Sequence, residues 1–87
     1  MKKNNVKYLQ KYQDDMITAL FYDYTKQLPV SVLTEMNRIY EEETGKTLST
    51  NYGCSNCIVK LVKLCAVLYF TEYKDRLPDK LKDRGKI

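Results

Sequence analysis

Apolar residues recur every three or four positions along most of this chain, and the recurrence stops where proline or glycine stands. Leu9, Tyr12, Met16, Leu20 and Tyr24 would share one face if the segment from about Asn5 to Gln27 were an α-helix. Ile17, Phe21 and Tyr22 widen that stripe, which predicts a helix in contact with two neighbours rather than one. Leu28-Pro29 ends it, because a residue before proline is pushed out of the helical region.

A second helix is expected after Ser31, whose hydroxyl suits an N-cap. Val32, Leu33, Met36, Ile39 and Tyr40 follow at helical spacing, and Glu35 places a favourable charge in the first turn. Thr44 should be its last residue, with Gly45 in the left-handed position beyond it and Leu48 folding back as the accompanying apolar contact. Ser49, Thr50, Asn51, Tyr52 and Gly53 read as loop.

The third helix is predicted from Ser55 to Arg76 or Leu77. Ile58, Leu61, Val62, Cys65, Leu68 and Tyr69 mark one face, with Lys60, Lys63 and Lys74 elsewhere. Val59, Ala66, Val67 and Phe70 make it apolar on more than one side, as expected of a helix packed between others or buried in an oligomer. Pro78 breaks it, and the segment 79–87 is either a short helical turn or a charged C-terminal tail. No strand pattern and no internal repeat competes. The expectation is an all-α fold, a three-helix bundle or an extended helical hairpin with basic terminal segments, comprising one domain over 1–78.

Size changes the picture. A chain of 87 residues buries only a little over ~60% of the surface its unfolded form exposes. Eight tyrosines and two phenylalanines without tryptophan are a heavy aromatic load for that length. Half-exposed tyrosines bring contact area at little entropic cost. Tyr12, Phe21, Tyr22, Tyr52, Val59, Phe70 and Tyr73 are therefore the candidate protein interface, for a second copy of the chain or a larger partner. A small core on its own seldom supplies more than a few kcal/mol.

The net charge of +4 is distributed unevenly. Lys2, Lys3, Lys7 and Lys11 occupy the amino end; Lys74, Arg76, Lys80, Lys82, Arg84 and Lys86 crowd the carboxyl end; Glu41, Glu42 and Glu43 lie between. Basic ends around an acidic waist suit nucleic acid, an acidic partner or a second copy. Non-specific binding to a nucleic-acid backbone is the alternative function. It would use Lys2, Lys3, Lys7 and Lys11 with Lys60 and Lys63, together with Lys80, Lys82 and Arg84, and would weaken steeply with salt. A helix-turn-helix is excluded by a connection of about nine residues before the third helix, where that motif uses three or four.

Candidate chemistry is confined to Gly53-Cys54-Ser55-Asn56-Cys57. Two thiols at this spacing can hold a metal, exchange electrons or form a disulfide that stiffens the loop. A structural zinc needs four ligands, and the chain has no histidine and one further cysteine. Cys57 and Cys65 would lie ~12 Å apart on a regular helix. Zinc would thus require Cys54 and Cys57 from two copies, or carboxylates from elsewhere. Thiol redox chemistry gains from the positive end of a helix dipole but lacks the βαβ setting of thioredoxin-like motifs. The simplest reading packs Cys57 and Cys65 as small apolar residues beside Leu61.

Gly45-Lys46-Thr47 resembles the end of a phosphate-binding loop, yet Tyr40 stands where that loop needs glycine and a helix precedes it. Asp14-Asp15 and Glu41 to Glu43 have no histidine or other positioned base and point apart on a helix, so they read as solvated surface. With no convergent catalytic set, the chain is expected to be non-enzymatic, without cofactor or small-molecule substrate.

Tyr40-Glu41-Glu42-Glu43-Thr44-Gly45-Lys46, followed by Cys54-Ser55-Asn56-Cys57 and an apolar helix, resembles small uncharacterised helical proteins of bacteriophages, particularly those of Bacteroidetes hosts. The resemblance covers about half the chain and implies a virion or accessory component, located in the host cytoplasm or the virion. Met1-Lys2-Lys3 leads into Asn4 and Asn5 rather than an apolar stretch, so no signal peptide is expected. The longest apolar run, Cys65 to Phe70, is far short of the ~20 residues that span a bilayer, and an odd cysteine count fits a reducing interior.

Overall fold

Five α-helices and one 3-10 turn make up the described part of the chain, residues 1–82 of a computed structural model. They are α1 (Lys3–Gln10), α2 (Gln13–Tyr22), α3 (Val30–Thr44), α4 (Ser55–Glu72), the 3-10 turn Lys74–Arg76, and α5 (Asp79–Lys82). No strand occurs among the described residues. The fold is the expected all-α bundle: a Cα radius of gyration of 12.1 Å matches the ~12 Å of a compact chain of this length and excludes the extended hairpin.

The predicted first helix is two. Tyr12 leaves helical geometry at φ −113° and ψ 23°, and the amides of Lys11 and Tyr12 donate to the carbonyls of Tyr8 and Leu9, three residues back. No glycine or proline stands there, so tertiary ties dictate the bend. α1 is drawn to α3 by Asn5, while α2 lies along α4. Leu9 and Met16, one on each side of the bend, are both fully buried.

α2 also ends early, at Tyr22 rather than Gln27. Asp23 adopts the left-handed conformation at φ 53°, one that aspartate tolerates better than most residues. Its amide donates to the Ala19 carbonyl at 3.1 Å, and its carboxylate pairs with Lys63 of α4. The chain then runs to Pro29, whose carbonyl accepts from the amides of Val32 and Leu33. α3 therefore begins at Val30, and Ser31, expected as N-cap, is instead an exposed residue of its first turn.

The other end of α3 is as expected. Gly45 takes φ 72° and its amide donates to the Glu41 carbonyl at 2.9 Å. Leu48 packs against the core; its amide donates to the Glu41 carboxylate at 2.7 Å and its carbonyl accepts from Asn37 at 2.9 Å. Thr50 donates to the same Asn37 at 2.7 Å, so the loop is stitched to one turn of α3.

α4 supplies the centre. Leu61, Val62, Cys65, Ala66, Tyr69 and Phe70 are all buried, against Met16, Ala19 and Leu20 from α2 and Leu33, Met36 and Ile39 from α3. After Glu72 the chain tightens into the 3-10 turn rather than continuing to Arg76. Leu77 and Leu81 return inward at 4% and 3% exposure. The packed chain thus extends past the boundary expected at 78, with α5 as the anticipated short helical turn.

Candidate functional site

Two shallow hollows flank the outward side of α4. One, of about 520 Å³, lies against α2 and is lined by Leu20, Asp23, Asn56, Val59, Lys60, Lys63, Leu64 and Val67. The other, of about 540 Å³, lies against the end of α3 and the amino terminus, lined by Met1, Tyr40, Thr44, Leu64, Val67, Leu68, Thr71 and Glu72. Leu64 and Val67 belong to both and form the ridge between them. Val67 is 40% exposed and Leu64 and Leu68 are half-buried. A helix this apolar normally turns such a row inward. Here the inward positions are already taken by the residues one step round the helix.

A third hollow, of about 520 Å³, opens between the α2–α3 connection and the start of α4. Tyr24, Leu28, Val30, Tyr52, Ile58 and Val59 contribute to it. Tyr22, Tyr24 and Val30 are exposed at 56%, 61% and 59%.

Of the seven expected interface residues, Tyr22 is exposed, and Tyr12, Phe21, Tyr52, Val59 and Tyr73 are half-buried. Phe70 is corrected: it is 0% exposed and meets Tyr69 edge-on at 5.0 Å between ring centroids, so it is core. Two of the others are largely engaged within the chain. Tyr12 packs on Tyr8 at 5.5 Å. Tyr73 lies on Tyr69 at 5.3 Å, with the Arg76 guanidinium over its ring at 4.6 Å. Leu64, which the sequence reading missed, and Val67, which it noted only as apolar, are the centre of the open surface. The spacing Lys60, Leu64, Val67, Thr71 was the available signal.

Part of the basic amino end meets the acidic waist. The Met1 amine sits 2.9 Å and 3.0 Å from the two Glu72 carboxylate oxygens, Lys2 Nζ lies 2.9 Å from Glu42, and the Lys2 amide donates to Glu43 at 2.8 Å. Buried Asn5 donates to Glu42 and Glu43 at 2.8 and 2.7 Å and accepts from Arg38 at 3.1 Å. Arg38 also grips Glu35 at 2.7 Å. The Glu42 carboxyl is consequently held down at about 2, by Asn5 first and then Lys2 and Arg38. Glu43, through Asn5 and the Lys2 amide, and Glu35, through Arg38, also lie below the usual range.

The candidate nucleic-acid residues are dispersed. Lys3, Lys7 and Lys11 lie on or just after α1, exposed, with Lys11 over the Tyr8 ring. Lys60 and Lys63 belong to the α4 face, Lys63 paired with Asp23. Lys80 is exposed, Lys82 pairs with Asp79 at 3.1 Å, and Arg84 lies outside the described residues. A surface that tracks a phosphate backbone needs such charges on one stripe.

Cys54 and Cys57 have their sulfurs at disulfide distance, with Cα atoms 5.2 Å apart. Cys54 is also the N-cap of α4, its sulfur accepting from the Cys57 amide at 3.3 Å. Cys57 is thus half-buried and engaged by Cys54, rather than packed with Leu61 as the simplest reading had it. Cys65 is buried; its thiol donates to the Met36 carbonyl at 3.5 Å, and burial pushes its pKa up to about 12. Among the described residues no cluster of three or more His, Cys, Asp or Glu side chains could hold a metal, and no helix is long and apolar enough to cross a membrane.

A scan against protein-family models finds no match, and neither the curated proteins nor the solved structures compared with the chain match it.

Proposed function

We propose that this is a non-enzymatic interaction protein that works by docking the outward face of α4 onto another protein surface. The observation that carries the reading is the ridge of exposed Val67 and half-buried Leu64 between two hollows, on the helix that also forms the core. Anchors in such hollows bind through apolar burial, with the polar rim setting orientation. Because α4 is fixed by its buried side, the face is rigid and little ordering entropy is lost on docking. The resemblance of the 40–46 and 54–57 segments to small phage proteins suggests a virion or host-cell protein as the partner.

A photo-crosslinking amino acid at position 67 tests this. Capture of a discrete protein, lost when Leu64 is replaced by aspartate in the same chain, is the expected result. Capture from an equivalent probe at exposed Lys46 but none from position 67 would remove the reading.

A further inference from the structure

We infer that the occupant of the α4 face is a second copy of this chain, packed antiparallel about a two-fold axis midway between Leu64 and Val67; this rests on the docking reading above. The face consists of two rows, Lys60, Leu64, Leu68 and Lys63, Val67, Thr71, each the i, i+4 ridge that packs into a facing helix. Inverting α4 about that midpoint exchanges the rows. Leu64 then meets Val67 of the other copy, Lys63 meets Leu68, and Lys60 meets Thr71 with Glu72 one residue beyond.

The chemistry matches under that inversion. Two apolar pairs fill the centre, each copy setting its ridge into the hollow beside the other's. The Lys63 stem covers Leu68 while its ammonium stays on Asp23. Lys60 has no ion-pair partner among the described residues. Glu72, with its side chain 45% exposed beside the Met1 amine, has acceptor capacity left for it. Each end of the face thus offers one member of an ion pair, Lys60 at one and Glu72, shared with the Met1 amine, at the other, and an antiparallel two-fold forms that pair twice. A parallel pair would set Lys60 against Lys60. The α4 dipoles also oppose favourably. A seam centred on one helix is modest in area, which predicts reversible association in the micromolar range.

Sedimentation velocity across a concentration series tests the inference on four chains: wild type, Val67→Asp, Lys60→Glu and Lys60→Glu/Glu72→Lys. Wild type should dimerise, and Val67→Asp should be monomeric with its helical circular dichroism intact. Lys60→Glu should weaken association about tenfold, since the two-fold axis applies each altered charge twice. The double exchange should recover it. A wild-type monomer at every attainable concentration, a dimer indifferent to Val67→Asp, or a double exchange no tighter than the single one would each overturn the inference. If wild type is monomeric yet the probe at position 67 captures a different protein, the docking reading survives without this one; if it captures nothing, both fall.

Discussion

Truncating Phe70 to alanine distinguishes a core ring from a contact ring. Its exposure is 0% and its ring meets Tyr69 at 5.0 Å with planes 86° apart. Removing a fully buried phenylalanine costs about 3–5 kcal/mol, and the edge-on pairing contributes about 0.5–1.5 kcal/mol of that. A domain of this length holds about 4–12 kcal/mol in total. Phe70→Ala should therefore lower the melting temperature by at least about 12 °C, at about 4 °C per kcal/mol, and can unfold a chain at the weak end of that range. Phe70→Leu refills most of the space and should cost about 1–2 kcal/mol. The control is Val67→Gln three residues earlier, 40% exposed, which should stay within about 0.5 kcal/mol. Urea titration followed by far-ultraviolet circular dichroism, at a dilution where the chain is monomeric, reads all three. If Phe70→Ala left the midpoint unmoved while Val67→Gln shifted it, the orientation of α4 described above would be wrong.

Acid should loosen the tie between α1 and α3. Glu42 is held at about 2 against an ordinary 4.5, with Glu43 and Glu35 also lowered. For carboxyls depressed by folding, the stabilisation is complete above the unfolded value and is lost as pH falls from there through the folded one. Urea midpoints should fall between about pH 5 and 2, and Asn5→Ala, which removes the largest cause for Glu42 and Glu43, should flatten that dependence; equal slopes in the two chains would contradict it. In chain purified without reductant, Ellman's reagent should find no reactive thiol in the native state and one after unfolding, that of Cys65. Rapid native labelling at Cys65 would refute its burial.

Features governed by neighbours along the chain were legible without coordinates. Gly45 ends α3 because a left-handed residue was needed and glycine stood there, whereas Pro29 and Pro78, expected to stop helices, stand just before α3 and α5, after α2 and α4 have already ended at Tyr22 and Glu72. The stripe of Leu61, Val62, Cys65 and Tyr69 marked α4 as the core helix. Phe70 and Val67 were harder. On a helix apolar over more than half its circumference, periodicity does not say which side faces in, and only the positions of α2 and α3 assign Phe70 to the interior and Val67 to the surface.

The bend at Tyr12 and the early stop at Asp23 had no local mark. Each is held by partners some forty positions away, Asn5 on Glu42 and Glu43, and Asp23 on Lys63. The charge runs showed the same division. That the amino end is basic and the waist acidic could be read directly, but that Lys2 and Asn5 meet Glu42 and Glu43 while Lys3, Lys7 and Lys11 stay exposed could not. Helical spacing and the glycine end of α3 act over a turn or two of backbone, so linear order carries them. Which faces are covered and which charges are paired depends on where separate helices come to rest, and burial and ion pairing are properties of that arrangement.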